Sequence, residues 1–276
     1  LNKSIKDEIC SKYSEILVDE CPQNQNLMVV FNKFSDRNID NLIKEPRSNL
    51  VTGLVSLIET MESVDFIGIS EIDILYIHDV DVFTHGSTVA ADKRYEEVLR
   101  GCYPALEKLR SQGVIKAIGI GLNENERSLR FLRDTDIDCI LLAGRYTLLE
   151  QEALNLLLPE CIRKNVSIVL GGPFNSGVLA TGLSENAKYD YGQVPNHIAR
   201  RVLALQSVCQ RFEVSLIAAA LQFPLAHPTV VSVIPGAMNK NEQMANIAAI
   251  NEKIPTELWL ELKTQGLIRE DAPVPK

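Results

Sequence analysis

Six short, largely apolar runs constrain the fold more than any other feature of this chain. They are LMVVF (27–31), DILYI (73–77), VIKAIGIG (114–121), DCILLAG (138–144), VSIVLGG (166–172) and TVVSVIPG (229–236). A strand with one wet face alternates apolar and polar residues. A near-continuous apolar run of this length suits a parallel strand covered on both faces. Parallel neighbours need a crossover, usually a helix, and segments of helical period lie between the runs. Residues 50–61 place Leu50, Leu54, Leu57, Ile58 and Met61 at the 3–4 spacing of one helix face. Residues 95–113 read as a helix stopped by Gly113, and 125–133 as a short one. The stretch 148–164 reads as helical with an interruption at Pro159. Further helices are expected at 196–212, 215–223, 241–249 and 255–265.

The pattern predicts an α/β protein, either an open doubly wound sheet or a (β/α)8 barrel. An open dinucleotide-binding sheet carries GxGxxG at its first strand–helix turn. Here the residues after the first run are NKFSDRN. Polar side chains instead collect at the C-terminal ends of many runs: Asn32 and Lys33, His78 and Asp79, Asn123, Arg145, Asn175. That distribution suits a barrel. A barrel needs eight units and six are found. Only 26 residues precede the first run, and the first residue is Leu. The chain is therefore expected to be one domain, 1–276, lacking the first two β/α units of a TIM barrel. The alternative is an intact six-stranded α/β protein.

The net charge of −8 argues against nucleic acid or an anionic membrane surface as partner. No apolar run reaches the 18 residues of a membrane span. The six cysteines lie far apart, without zinc spacing, and are expected to be reduced thiols of a cytoplasmic protein. No metal set is apparent. His197 and His227 read as structural, and His85 as a solvated loop residue, the alternative being that it lines the substrate mouth.

The stretches IDILYIHDVDVFTHG, ALEKLRSQGVIKAIGIGLNE, FLRDTDIDCILLAGRYTLLEQ, LGGPFNSGVLATG, AALQFPLAHPTVVSVIPGA and LIREDAPVP resemble the aldo-keto reductases. The resemblance is to the subgroup of D-threo-aldose 1-dehydrogenases (L-fucose dehydrogenases) and pyridoxal 4-dehydrogenases. It implies a (β/α)8 barrel that binds a nicotinamide cofactor at its C-terminal face. It also implies a catalytic set of Asp, Tyr, Lys and His. The Tyr hydroxyl exchanges a proton with the substrate oxygen, the Lys lowers the Tyr pKa, the Asp holds the Lys and the His orients the substrate. Lys33 matches the family Lys and His78 the family His. Counting back from Ser14-Glu15 puts the Tyr near Ser4 and the Asp before Leu1, so neither is assigned.

For the cofactor, the resemblance implies Asn123 at the nicotinamide amide. The loop of Gly171, Gly172, Pro173, Phe174, Asn175 and Gly177 has the glycines and backbone N–H groups to approach a pyrophosphate, the alternative being a tight turn with a helix cap; by the resemblance Gly171 stands where the family stacks an aromatic under the nicotinamide, and Asn246 lies at the adenine. Gly236 and Glu242 stand where the family carries the two cations that grip the 2′-phosphate of NADP, so NAD is expected over NADP. The implied reaction is oxidation of C1 of a cyclic hemiacetal to the lactone. The substrate is an aldose such as L-fucose or D-arabinose, or pyridoxal. The alternative is a non-catalytic relative, a binding or regulatory protein without the Tyr and Asp.

Overall fold

The computed structural model describes residues 73–276 other than 186. The run at 27–31, the helix at 50–61, Lys33 and the Ser14-Glu15 segment lie outside the described residues. The chain divides into two compact units, Leu1–Gly121 and Leu122–Lys276.

In the first unit, β1 (Ile74–His78) pairs in parallel with β2 (Ala117–Leu122). The register runs from Ile74 opposite Ala117 to His78 opposite Gly121. Leu75, Tyr76 and Ile77 are all buried, and Ile118 and Ile120 are fully so. Consecutive buried residues show cover on both faces, as the unbroken runs predict. The Asp73 carbonyl accepts from both Lys116 and Ala117 N–H and fixes where the pairing starts.

The crossover differs from the single helix expected at 95–113. The short helix α1 (Val82–His85) is capped by Asp81, whose carboxylate accepts from Thr84 N–H at 2.8 Å. His85 therefore ends a helix instead of lying in a loop. Helix α2 (Thr88–Glu97) is capped by Ser87 and passes into a π turn (Val98–Cys102), then into α3 (Tyr103–Ser111). The Tyr103 N–H bonds the Val98 carbonyl, five residues back. Pro104 has no N–H to give Arg100, and its ring would crowd that carbonyl in a regular turn. The wider turn opens the space.

In the second unit, β3 (Cys139–Ala143), β4 (Ser167–Gly171) and β7 (Val230–Ile234) lie side by side, all parallel. Ile140, Leu142, Ile168 and Leu170 are fully buried. Helix α4 (Asn125–Asp134) turns Ser128, Phe131 and Leu132 inward. The interruption expected at Pro159 falls earlier. A 3-10 turn (Glu152–Leu154) precedes α5 (Leu157–Lys164), and 148–151 are not helical. Pro159 sits in the first turn of α5, where its missing N–H would have had no helical partner.

After β4 come α6 (Val178–Thr181) and a small hairpin, β5 (Lys188–Tyr189) with β6 (Gly192–Gln193). Helix α7 (Asn196–Arg211) then leads to α8 (Leu216–Leu225), which is apolar nearly all round and buries Ala218–Leu221, Phe223 and Pro224. Helices α9 (Lys240–Ile250) and α10 (Thr256–Thr264) close the unit. The Gln222 amide donates to the Ala249 and Glu252 carbonyls and ties α8 to the end of α9. Tyr146, Phe223 and Trp259 form an aromatic cluster, with ring centroids 5.4 Å and 6.3 Å apart and no solvent exposure. His227 is buried beside it, edge-on to Tyr146, with Nδ1 2.8 Å from Thr229 Oγ1. Burial lowers its pKa, in keeping with a structural histidine. Among the described residues no single helix is long and apolar enough to cross a membrane.

Candidate active site

In the first unit the β1 strand delivers His78 to its C-terminal end, where the side chain is 18% exposed. Nδ1 lies 2.7 Å from Asp79 Oδ1, a close approach without hydrogen-bond angles. Nε2 has no hydrogen-bond partner among the described residues. Asp79 has φ 59°, a left-handed conformation that a non-glycine residue adopts at some cost. Its N–H donates to the Gly121 carbonyl at 3.2 Å, so the turn is anchored to β2.

In the second unit the candidates cluster on the loops that follow the strands. Asn123 accepts through its backbone carbonyl from Arg145 Nε at 2.6 Å, while its side-chain amide makes no hydrogen bond among the described residues. Arg145 also pairs with Asp190 at the hairpin tip, at 3.0 Å. The tip is a two-residue turn with Asp190 and Tyr191 both left-handed, the geometry a tight hairpin requires. Tyr191 N–H donates to Ser176 Oγ, and the Tyr189 hydroxyl donates to Glu150. Burial is the main reason the Glu150 carboxyl lies above its ordinary pKa. The hairpin is thus held to the ends of β3 and β4.

The glycine-rich loop begins where β4 ends, at Gly171. A Cβ there would meet nothing nearer than the Ala143 Cβ at 3.6 Å, so packing leaves room for a side chain. Gly172 and Gly177 differ, with left-handed φ values of 58° and 98° that favour glycine. Between them Asn175 and Ser176 are also left-handed, at 46° and 60°. Phe174 is buried and Pro173 starts the turn.

Asn175 is committed at both ends of its amide. Oδ1 accepts from Thr147 Oγ1 at 2.6 Å, and Nδ2 donates to the Gly144 carbonyl at 3.2 Å. Thr147 is fully buried and its hydroxyl oxygen also accepts from Leu149 and Glu150 N–H. Thr147→Val keeps the shape and removes all three bonds. Buried polar groups left unpaired cost about 1–3 kcal/mol. We expect a loss of that size in urea melts, and a loss below about 0.5 kcal/mol would show that the brace is not structural.

At the end of β7, Gly236 is open, with nothing within 4 Å of a Cβ placed there. Asn246 is buried on α9 and its amide reaches the Gly236 carbonyl at 3.4 Å. Glu242 caps α9: it accepts from Met238 N–H and from the Asn239 amide, while Asn239 accepts from Glu242 N–H. This is a reciprocal cap, a variant of the capping box in which Glu242 reaches the N–H before the cap residue Asn239, and a structural role the sequence reading did not include. The left-handed turn at Asp79, Thr147 and the Asp190 hairpin were also missed. None carries a local sequence signal, because each is defined by a backbone angle or a distant partner.

The aldo/keto reductase family model matches residues 12–264. A pyridoxal 4-dehydrogenase of Microbacterium luteolum is 37% identical over 208 residues, which are 75% of this chain and 60% of that protein. A D-threo-aldose 1-dehydrogenase of a Pseudomonas species is 39% identical over the same shares. The chain thus spans 60% of the length of these relatives. An aldo-keto reductase of Bacillus halodurans, solved in its holo form, superposes with a TM-score of 0.56 at 23% identity, covering 78% of this chain and 67% of the other. The chain belongs to the aldo/keto reductase family, and its fold is of that family's α/β barrel type.

Proposed function

We propose that the protein is an NAD-dependent oxidoreductase that oxidises C1 of a cyclic hemiacetal to the lactone. The substrate is an aldose such as L-fucose or D-arabinose, or pyridoxal, itself a cyclic hemiacetal in water. The carrying observation is that three left-handed non-glycine residues follow strand ends, whereas the other four among the described residues, Asn165, Asp190, Tyr191 and Glu213, end helices or turn the hairpin. Asp79 follows β1, and Asn175 and Ser176 follow β4. Strain of this kind persists where a site over-determines the backbone, and barrel enzymes work at the C-terminal ends of their strands. Two relatives that act on pyridoxal and aldoses support the substrate class.

The polar groups in the second unit fit a nicotinamide dinucleotide. The Asn123 amide makes no hydrogen bond among the described residues, and the glycine loop presents a left-handed stretch of backbone. A nicotinamide held there would supply the hydride acceptor for C1. His78 Nε2 holds the substrate oxygen by a hydrogen bond. The proton from that oxygen leaves through an acid–base Tyr supported by Lys33, and the products are lactone, NADH and a proton. In this reading Asn123 holds the carboxamide, the loop from Gly171 to Gly177 the pyrophosphate, and Asn246 the adenine. We also propose a single domain, acting in the cytoplasm.

Gly236 offers no cation and Glu242 offers a carboxylate near the 2′ position. A phosphate there meets like charge. We expect NADH to bind at least about tenfold more tightly than NADPH, equivalent to about 1.4 kcal/mol, in a fluorescence titration of the full natural chain. Tighter binding of NADPH would refute the cofactor assignment. A rate assay with NAD, a panel of aldoses and pyridoxal tests the reaction. No turnover of any of them by the full natural chain would refute it and favour the non-catalytic reading.

A further inference from the structure

We propose that Gly121 is a positioning residue for His78, an inference that rests on the reading of His78 given above. The parallel register sets the two residues opposite each other at the ends of β1 and β2. A Cβ on Gly121 would lie 2.4 Å from His78 Cδ2, 2.8 Å from Nε2 and 3.2 Å from Cγ. Carbon contacts that short are not tolerated, so the imidazole occupies the space a side chain at 121 would need.

Gly121 is not in the left-handed region, so its backbone does not require glycine. What the position requires is the absence of a side chain. Its carbonyl meanwhile accepts from Asp79 N–H, which fixes the turn carrying the carboxylate beside Nδ1. The ring is therefore bounded by bare backbone on one side and by Asp79 on the other, and Nε2 makes no hydrogen bond among the described residues.

The atoms a new Cβ would strike all belong to the His78 ring and none to backbone. Gly121→Ala should therefore move the ring and leave the strands paired. A misplacement of about 1 Å at a reacting group can cost on the order of a hundredfold in rate. This sets Gly121 apart from Gly171, where a Cβ meets only ordinary contacts.

The test is a double-variant cycle in the full natural chain, with kcat, NADH affinity and melting temperature read for each protein. Gly121→Ala is expected to lower kcat by about ten- to a hundredfold, with NADH affinity within about threefold of wild type. In a His78→Ala background it should lower kcat no further, because the ring it displaces is gone. Unchanged kcat in Gly121→Ala, or an equal loss in both backgrounds, overturns the inference. If Gly121→Ala does not fold, the Gly121→Ala/His78→Ala protein should fold and melt with His78→Ala. Failure of that double variant to fold also overturns it. If His78→Ala itself keeps wild-type kcat, the assignment of His78 fails and the inference falls with it. Loss in His78→Ala beside a silent Gly121→Ala refutes the inference alone.

Discussion

Replacing His78 by Gln is expected to lower kcat/KM by about 10²- to 10⁴-fold, the usual contribution of a positioned acid–base or hydrogen-bonding group. Wild-type affinity for NADH should remain. The imidazole is a rigid ring that β1 brings to its C-terminal end, 18% exposed and with Nδ1 against the Asp79 carboxylate. Gln offers a donor of similar reach, but its amide has more rotatable bonds and is not bounded in the same way. The loss should therefore fall in kcat more than in KM, since the hydrogen bond to the substrate oxygen matters most as charge develops there. A purely structural histidine would respond differently, with a lower melting temperature and kcat within about threefold of wild type. Steady-state rates beside thermal melts separate the two, and the second pattern would remove His78 from the site.

How far the sequence could be read depends on which interactions are local. The strands were legible because a parallel strand covered on both faces needs apolar residues at every position. The run expected at 73–77 is observed one residue later, as Ile74–His78. The helix expected at 196–212 is found at Asn196–Arg211, because Ile198, Val202, Leu205 and Val208 mark its buried face directly. The crossover after β1 was misread. Pro104 and the π turn it induces break the helical period, and the start at Ser87 rests on a cap and not on an apolar face. Pro159 misled in the opposite sense, since a proline in a first turn starts a helix as readily as it ends one.

The candidate site divides in the same way. His78 could be placed from its strand end, and Asn123 and the glycine loop from theirs. That Asn175 is a brace, that Glu242 is half of a reciprocal cap and that Gly121 makes room for a ring depend on partners in space. The hairpin tip, Asp190-Tyr191, lacks the Asn-Gly or Asp-Gly signature that would have announced it.

Stability should fall steeply between pH 9 and pH 11. Cys161 on α5 and Cys209 on α7 carry free thiols and are almost wholly buried. Burial pushes the Cys161 thiol from its ordinary 9.0 up to about 12, and that of Cys209 to about 11. Cys102, in the π turn, is likewise raised by burial to about 11, and the buried Tyr146 hydroxyl is raised as well. Below pH 9 both folded and unfolded chains hold these protons, and the shifts do not affect stability. Above it the unfolded chain releases protons that the folded chain keeps. The unfolded state then binds fewer protons, so stability falls as pH rises. Each fully buried thiol removes about 1.4 kcal/mol per pH unit until its folded pKa is reached. For Cys161 and Cys209 together that is roughly 3 kcal/mol by pH 10, a large part of the 5–15 kcal/mol that holds a typical domain folded. Urea melts under reducing conditions at pH 8 and pH 10 measure the fall. Lysines begin to titrate in the same range, so the comparison that isolates the thiols is with Cys161→Ala. That variant starts lower because of its cavity, yet it should lose on the order of 1 kcal/mol less than wild type between the two pH values. Equal losses in the two proteins would show that Cys161 ionises where it sits, without unfolding. The same burial that withholds the thiolate would then fail to protect it, and Cys161 would react with iodoacetamide in the native state at pH 10.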